Sequence, residues 1–374
     1  MNAFQAYIFD VVKAIYQQYP ETHKILGSKI RQGQLLQQGE ILYQPDLADC
    51  LEVLAKEGEA FFYQGEIADA VTRLCAEQGG HLVGEDFEQY RLVKRKPLSI
   101  DYRDAAVLTN PAPSSGGTLI AFALQLLRSF DPSAYRYGSV PYLDLLAQVQ
   151  DMTNKARIDA YLSENSPHPA EHVLDPEVVE AYRTQIKPAA LCSRGTTHIS
   201  VIDRLGNIAS LTTSNGEGCG LFVPGTGIML NNMLGEEDLN PKGFHHWPAN
   251  QRMSSMMAPC IVTLPDKRHI ALGSGGSNRL RTAILQVLLN VIDFKMPLDQ
   301  AVSHPRIHHE AGLLSIEGGF EDDMIALLLK NYPNYKVWHS RNLFFGGTHS
   351  VSSSVDGFFG IGDPRRGGYA MEVS

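Results

Sequence analysis

RGTTHISVIDRLGNIASLTTSN, residues Arg194 to Asn215, decides how this chain is read. Thr197 to Asp203 and Asn207 to Ser214 are rich in Thr, Ile, Val and Ser and flank a Leu205-Gly206 turn, the signature of a β-hairpin. A tight turn there sets Thr196 opposite Ser214 or Asn215, so a nucleophile candidate faces a hydroxyl or an amide across the ladder.

A threonine hydroxyl attacks well only when a base takes its proton, and a chain's own α-amino group, with a reference pKa of roughly 7.7 to 8.0, suits that task. Exposing the amine requires cutting Gly195-Thr196. Gly195 has no β-carbon, so the backbone can bend until the Thr196 oxygen reaches the preceding carbonyl. On the hairpin alone, an edge hairpin whose threonines serve β propensity is the simpler reading.

Further motifs follow in order. After the hairpin come GTGIMLNNM, QRMSSMMAP and GSGGSNR; before it stands PAPSSGG, from Pro111 to Gly117, and near the end DPRRGG, from Asp363 to Gly368. In this order they resemble the gamma-glutamyltranspeptidase family of N-terminal nucleophile hydrolases. The resemblance implies an α+β fold, a four-layer αββα sandwich, made as a proenzyme and cut before Thr196. Residues 1–195 would be the large-subunit-like part and 196–374 the small catalytic part, both sharing one layered core.

It also implies roles. Thr196 would attack a γ-glutamyl amide such as glutathione, with Ser214 and Asn215 orienting it. An acid after LNNM would hold the substrate's α-amino group, Asp238 being the first choice and Glu237 the second. Ser254 and Ser255 would offer hydroxyls to the substrate carboxylate. A glycine loop between strand and helix first suggests a nucleotide, but the Walker lysine is missing and G-S-G-G does not fit dinucleotide spacing. The better use is an oxyanion hole made by the Gly275 and Gly276 amides.

The part before Thr196 is shorter than in the family and lacks the upstream arginine that grips the substrate carboxylate. A fragment, a half needing a separate upstream chain and a reduced enzyme all stay open, as does a higher oligomer of the two cleavage fragments. Two other activities stay open as well: an acylase for other dicarboxylic amides, and an uncut binding subunit.

Composition narrows the rest. A net charge of -9 over 374 residues with no basic run argues against nucleic acid, and 44% hydrophobic content supports a sizeable core. No apolar run reaches membrane-spanning length and MNAFQAYIFDVVKAIYQQYP is no signal peptide, so a soluble, cytoplasmic protein is expected, periplasmic if an upstream segment is missing. Five cysteines without paired spacing fit reduced thiols. His304, His308 and His309 with Glu310 invite a metal, but no zinc spacing occurs, and neither metal nor cofactor is expected.

Local periodicity places helices over Phe4 to Tyr19, from an Asp46 N-cap to a Gly58 stop with Leu47, Leu51 and Leu54 on one face, and over Ile67 to Ala76. PAPSSGG reads as a plain strand-to-helix connection. The segment from Leu239 to Gln251 is shorter than a family lid-bearing loop, which would leave water free access to an acyl-enzyme.

Overall fold

The computed structural model describes residues 1–162, 172–184, 196–240 and 242–373. These form two compact units, Lys96–Ser214 with Leu234–Ser374, and Met1–Arg95 with Asn215–Met233. The units thus divide the chain elsewhere than at Thr196.

The larger unit is built on a six-stranded antiparallel sheet. Its strands are β1 (Leu98–Tyr102), β2 (Ala105–Thr109), β5 (Cys260–Thr263), β6 (His269–Gly275), β10 (Gly347–Ser354) and β11 (Gly357–Ile361), ordered β1-β2-β5-β6-β10-β11. The hairpin strands β3 (Thr197–Ile202) and β4 (Ile208–Thr213) form their own ladder. A smaller sheet joins β7 (Ile307–Glu310), β8 (Leu313–Ile316) and β9 (Tyr335–Val337).

Side chains alternate across a strand, and β6 shows why its composition matters. Ile270 and Leu272 enter the hydrophobic core with Ile284, Leu285 and Leu288. That second group belongs to α3 (Arg279–Ile292), which is buried all round, its polar residues Arg281, Thr282, Gln286 and Asn290 included. Helix α1 (Ser115–Leu127) packs on both α3 and α2 (Val140–Leu162). Gly273 and Gly275 turn to the opposite face, where the β3-β4 hairpin lies against β6.

Glycine is required there. A β-carbon on Gly273 would stand 2.3 Å from His198 Cε1, and one on Gly275 would stand 1.9 Å from the Thr196 carbonyl oxygen. The hairpin can therefore settle onto the sheet only because β6 has no side chains at these two positions. His198 is clamped within the hairpin by Thr212 Oγ1 at 2.8 Å and Ser200 Oγ at 2.7 Å.

The turn differs from the expected Leu205-Gly206 pair. Asp203 N–H donates to the Asn207 carbonyl, and the Asp203 carboxylate accepts the N–H groups of Leu205 and Asn207. The loop is thus Arg204, Leu205 and Gly206, with Gly206 at φ 82°, the three-residue hairpin form with a left-handed third position. Aspartate chemistry, which the two-residue reading passed over, fixes it.

In the smaller unit the expected first helix is split, Ala3–Val11 and Lys13–Tyr16. The second helix spans Pro45–Glu57 with Gln44 at its N-cap, so Asp46 lies in the first turn and not at the cap; Gly58, at φ 75°, is the expected stop. Cys50 is its buried residue, and Leu51 is exposed: the face turns about Cys50, which packs with Ile67, Val71 and Val223. The third helix, Glu66–Gln78, ends at left-handed Gly79.

Cys50, Cys75, Cys219 and Cys260 are free thiols; burial pushes the Cys260 thiol up to about 12. Cys192 lies outside the described residues. No helix among those described is long and apolar enough to cross a membrane.

Candidate active site

Thr196 is the residue before β3, and the register that pairs Thr197 with Thr213 carries on to set it opposite Ser214. The Thr196 hydroxyl donates to Ser214 Oγ at 3.4 Å, the weak edge of hydrogen-bond range. Its carbonyl faces Gly275 so closely that no β-carbon fits between them. Hairpin register and sheet glycine thus bring three of the expected residues, Thr196, Ser214 and Gly275, to one corner. Gly195 lies outside the described residues.

Gly276 follows at φ 130° and Ser277 at φ 51°, two successive left-handed residues that turn the chain out of β6. The turn closes as the N–H groups of Arg279 and Leu280 donate to the carbonyls of Gly276 and Ser277, and α3 begins. Ser277, which sequence reasoning passed over, donates its hydroxyl to Asp238 Oδ2 at 2.6 Å. A short charge-assisted bond therefore joins the first-choice acid to the residue after the glycine pair.

Asp238 is braced from a second side. Its carbonyl accepts Arg157 Nη1 at 2.8 Å, and the Arg157 Nε and Nη2 reach Asn154 Oδ1. Arg281 donates to Glu310 at 2.9 Å, and His308 Nε2 lies 3.1 Å from the same carboxylate. Burial alone would raise the Glu310 carboxyl, but Arg281 and the His308 hydrogen bond hold it down to about 2. Burial in turn lowers His308 to about 4. The His308 and Glu310 that suggested a metal thus serve an internal ion and hydrogen-bond network, with Thr282 on the other His308 nitrogen.

Glu237, the second-choice acid, is exposed in a single turn from Glu237 to Leu239. Asn215 belongs to the smaller unit, where its side chain donates to the Met229 carbonyl at 3.2 Å and its own carbonyl accepts Asn232 N–H.

Ser254 is buried, and Ser255 Oγ accepts Met257 N–H at 3.1 Å. The Ser255 carbonyl accepts the N–H groups of Ser115 and Gly116 and the Ser114 hydroxyl. PAPSSGG is therefore more than a connection, since it clamps the paired-serine segment. A β-carbon on Gly116 would lie 2.1 Å from the Met256 carbonyl oxygen, so the glycines are there for close approach. No sequence period signals a clamp between segments about 140 residues apart.

Comparison with known proteins places this chain in a family. The gamma-glutamyltranspeptidase family model matches residues 2–373. The chain is 31% identical over 367 residues to the glutathione hydrolase proenzyme of Escherichia coli (strain K12), covering 90% of this chain and 62% of that one. It is 31% identical over 341 residues to the Acylase ACY 1 proenzyme of Pseudomonas sp. (strain V22), covering 87% and 60%. The chain thus spans about three-fifths of the length of these curated relatives.

Cephalosporin acylase from Bacillus halodurans shares the fold, with a TM-score of 0.80 at 24% identity over 97% of this chain and 69% of that one. The fold is that of the N-terminal nucleophile hydrolases, with the β3-β4 hairpin laid over the larger sheet and helices beneath. A family model that matches almost end to end leaves one conclusion: this chain belongs to the gamma-glutamyltranspeptidase family.

Proposed function

We propose that this chain is a self-processing acyl-transfer enzyme whose nucleophile is Thr196 and whose acyl donors are γ-glutamyl amides such as glutathione. One observation carries the reading: Thr196 sits opposite Ser214 and flush against Gly275, in a chain of this family. Cleavage of Gly195-Thr196 would give fragments 1–195 and 196–374, held as a heterodimer.

In the cut form the Thr196 α-amine takes the proton of its own hydroxyl, and the oxygen attacks the γ-carbonyl carbon. Negative charge develops on the carbonyl oxygen, and the Gly275 and Gly276 N–H groups are assigned to receive it. Ser214 orients the Thr196 hydroxyl, and Asn215 assists. The C–N bond then breaks, the amine leaves with the proton, and water or a second amine takes the acyl group from Thr196.

Asp238 is assigned to the α-amino group of the donor, because it has a carboxylate already held by Ser277; Glu237, which is exposed, is the lesser choice. Ser254 and Ser255 are assigned to the donor's carboxylate. The relative named as an acylase proenzyme, at the same 31% identity, supports a second reading in which another dicarboxylic amide is the donor.

Sequencing the fragment from purified protein tests the reading, with a new N-terminus of TTHIS expected. If the Thr196→Ala variant is processed as fast as the parent, Thr196 is not the nucleophile.

A further inference from the structure

Gly347 on β10 is the register partner of Gly275 on β6, so their missing side chains would point to one face. That face is the one carrying Thr196. Across it runs the side chain of Arg366. A β-carbon on Gly347 would lie 2.4 Å from Arg366 Cδ and 2.7 Å from Cγ. The guanidinium continues over the glycine pair, with Nη1 3.3 Å from the β-carbon position of Gly275 and Nη2 3.1 Å from that of Gly276. Three glycines thus form a trough for one arginine. Because the same point on Gly275 is 1.9 Å from the Thr196 carbonyl oxygen, that oxygen and Nη1 are no more than about 5 Å apart.

Among the described residues, no carboxylate forms an ion pair with Arg366. Asp363 Oδ2 is taken by Arg306 and Thr348 N–H, and Oδ1 by Arg365. Glu317 is taken by Arg365 at 2.6 Å. Arg366 Nη2 donates only at 3.3 Å, to the Leu343 carbonyl, and its Nε has no hydrogen-bond partner among the described residues. Burial, with Arg306 nearby, lowers Arg366 to about 10, Asp363 acting the other way; it is a cation at neutral pH. Among the described residues, three arginines, Arg306, Arg365 and Arg366, face two committed carboxylates, Asp363 and Glu317. A guanidinium held this way has a standing surplus of positive charge.

We propose that Arg366 is a positioning residue for the reaction at Thr196: a fixed cation laid along the glycine trough that favours negative charge as it develops at the Gly275-Gly276 corner. The inference rests on the reading of Thr196 as nucleophile. A cation fixed beside a developing oxyanion helps the transition state more than the bound ground state, so its effect belongs on kcat and not on KM.

The test uses the full chain with two acyl anilides, γ-glutamyl-p-nitroanilide and a butyryl anilide with no charged group. Arg366→Gln should lower kcat on both about 10- to 100-fold, with each KM within about twofold of the parent. Arg366→Lys, which keeps the charge, should recover most of the loss. A raised KM confined to the γ-glutamyl donor would overturn the proposal and make Arg366 a grip for the donor's carboxylate. Parental kcat in Arg366→Gln, or no recovery in folded Arg366→Lys, would overturn it too.

If Arg366→Gln fails to fold, Arg366→Lys decides through its pH profile: kcat near the parental value at neutral pH that falls, at unchanged KM, as the lysine loses its proton at alkaline pH supports the proposal, and a profile matching the parent's or a raised KM ends it. Should the parent itself be uncut and form no acyl-enzyme with either anilide, the Thr196 reading falls and takes this one with it; an active parent with an indifferent Arg366 removes this one only.

Discussion

The Ser277 hydroxyl donates to the Asp238 carboxylate over 2.6 Å, tying the acid segment to the loop that follows Gly275 and Gly276. If Asp238 holds the donor's α-amino group, the loop and the donor are positioned by one bond. Ser277→Ala should raise KM for a γ-glutamyl anilide several-fold and leave kcat within a similar range. A double-mutant cycle with Asp238→Asn should show coupling of about 1.5 to 3 kcal/mol, the usual range for a hydrogen bond to a charged group. Additive effects would mean that Ser277 and Asp238 act apart.

Gly275→Ala puts a methyl group where the Thr196 carbonyl oxygen now stands 1.9 Å away. The hairpin must lift, which should cost roughly 1 to 3 kcal/mol of stability and slow the appearance of the TTHIS fragment. A variant that melts with the parent and matures at the parental rate would show that the hairpin does not depend on this contact.

Gly276, at φ 130°, should tolerate little. Gly276→Val strains the backbone and displaces an N–H assigned to the oxyanion, and loss of one such donor costs about 2.7 to 4 kcal/mol of barrier. Burst-phase kinetics on the anilide would read this as a lower acylation rate. Unchanged acylation, or saturable binding of ATP or NAD by the parent, would count against the oxyanion assignment.

Acid should loosen the hairpin. Burial lowers His198 to about 3, with His349 adding to the shift, and burial also lowers His349, whose Nδ1 accepts Asp363 N–H. Both folded values lie below the ordinary histidine value of about 6.5, so the unfolded chain binds more protons once the pH falls under that value. The stability is full above it and is lost as pH drops toward the folded values. Melting temperature should fall steadily between about pH 7 and pH 5, and less steeply in His198→Gln. Parallel slopes in the two proteins would remove His198 from the account.

The short Leu239 to Gln251 segment predicts hydrolysis over transfer, provided that no other segment covers an acyl-enzyme from water. Glutamate release from γ-glutamyl-p-nitroanilide should change little when glycylglycine is added at mildly alkaline pH. A predominance of dipeptide adduct would make transfer the main reaction.

What could be read from residues alone was local. The hairpin follows from period, because neighbours in sequence decide it; period alone leaves the register at Thr196 between Ser214 and Asn215, and the loop closed by Asp203 decides for Ser214. The Gly58 stop was legible too, whereas the cap at Gln44 and the Cys50 face were not, since packing against Val223 outweighs the apolar count on the helix. The role of Ser277 was hidden because its partner lies 39 residues away. Arg366 was hidden more deeply: DPRRGG enters only as a motif of the family, and the β6-β10 register shows that Gly347 clears its path. The PAPSSGG clamp on Ser255 belongs with these, a contact made by two loops with no period of their own.

The ladder between β2 and β5 joins strands that lie on opposite sides of Thr196 in the chain. If Gly195-Thr196 is cut as proposed, neither polypeptide contains the whole sheet. Folding of the newborn chain is a first-order event, but a mature molecule melted by heat must bring two separate polypeptides back together. Its recovery then depends on concentration, and strand edges left open meanwhile invite aggregation. Maturation of this kind would spend the template with which the sheet was first assembled, so that the active form lasts only as long as it avoids its first complete unfolding.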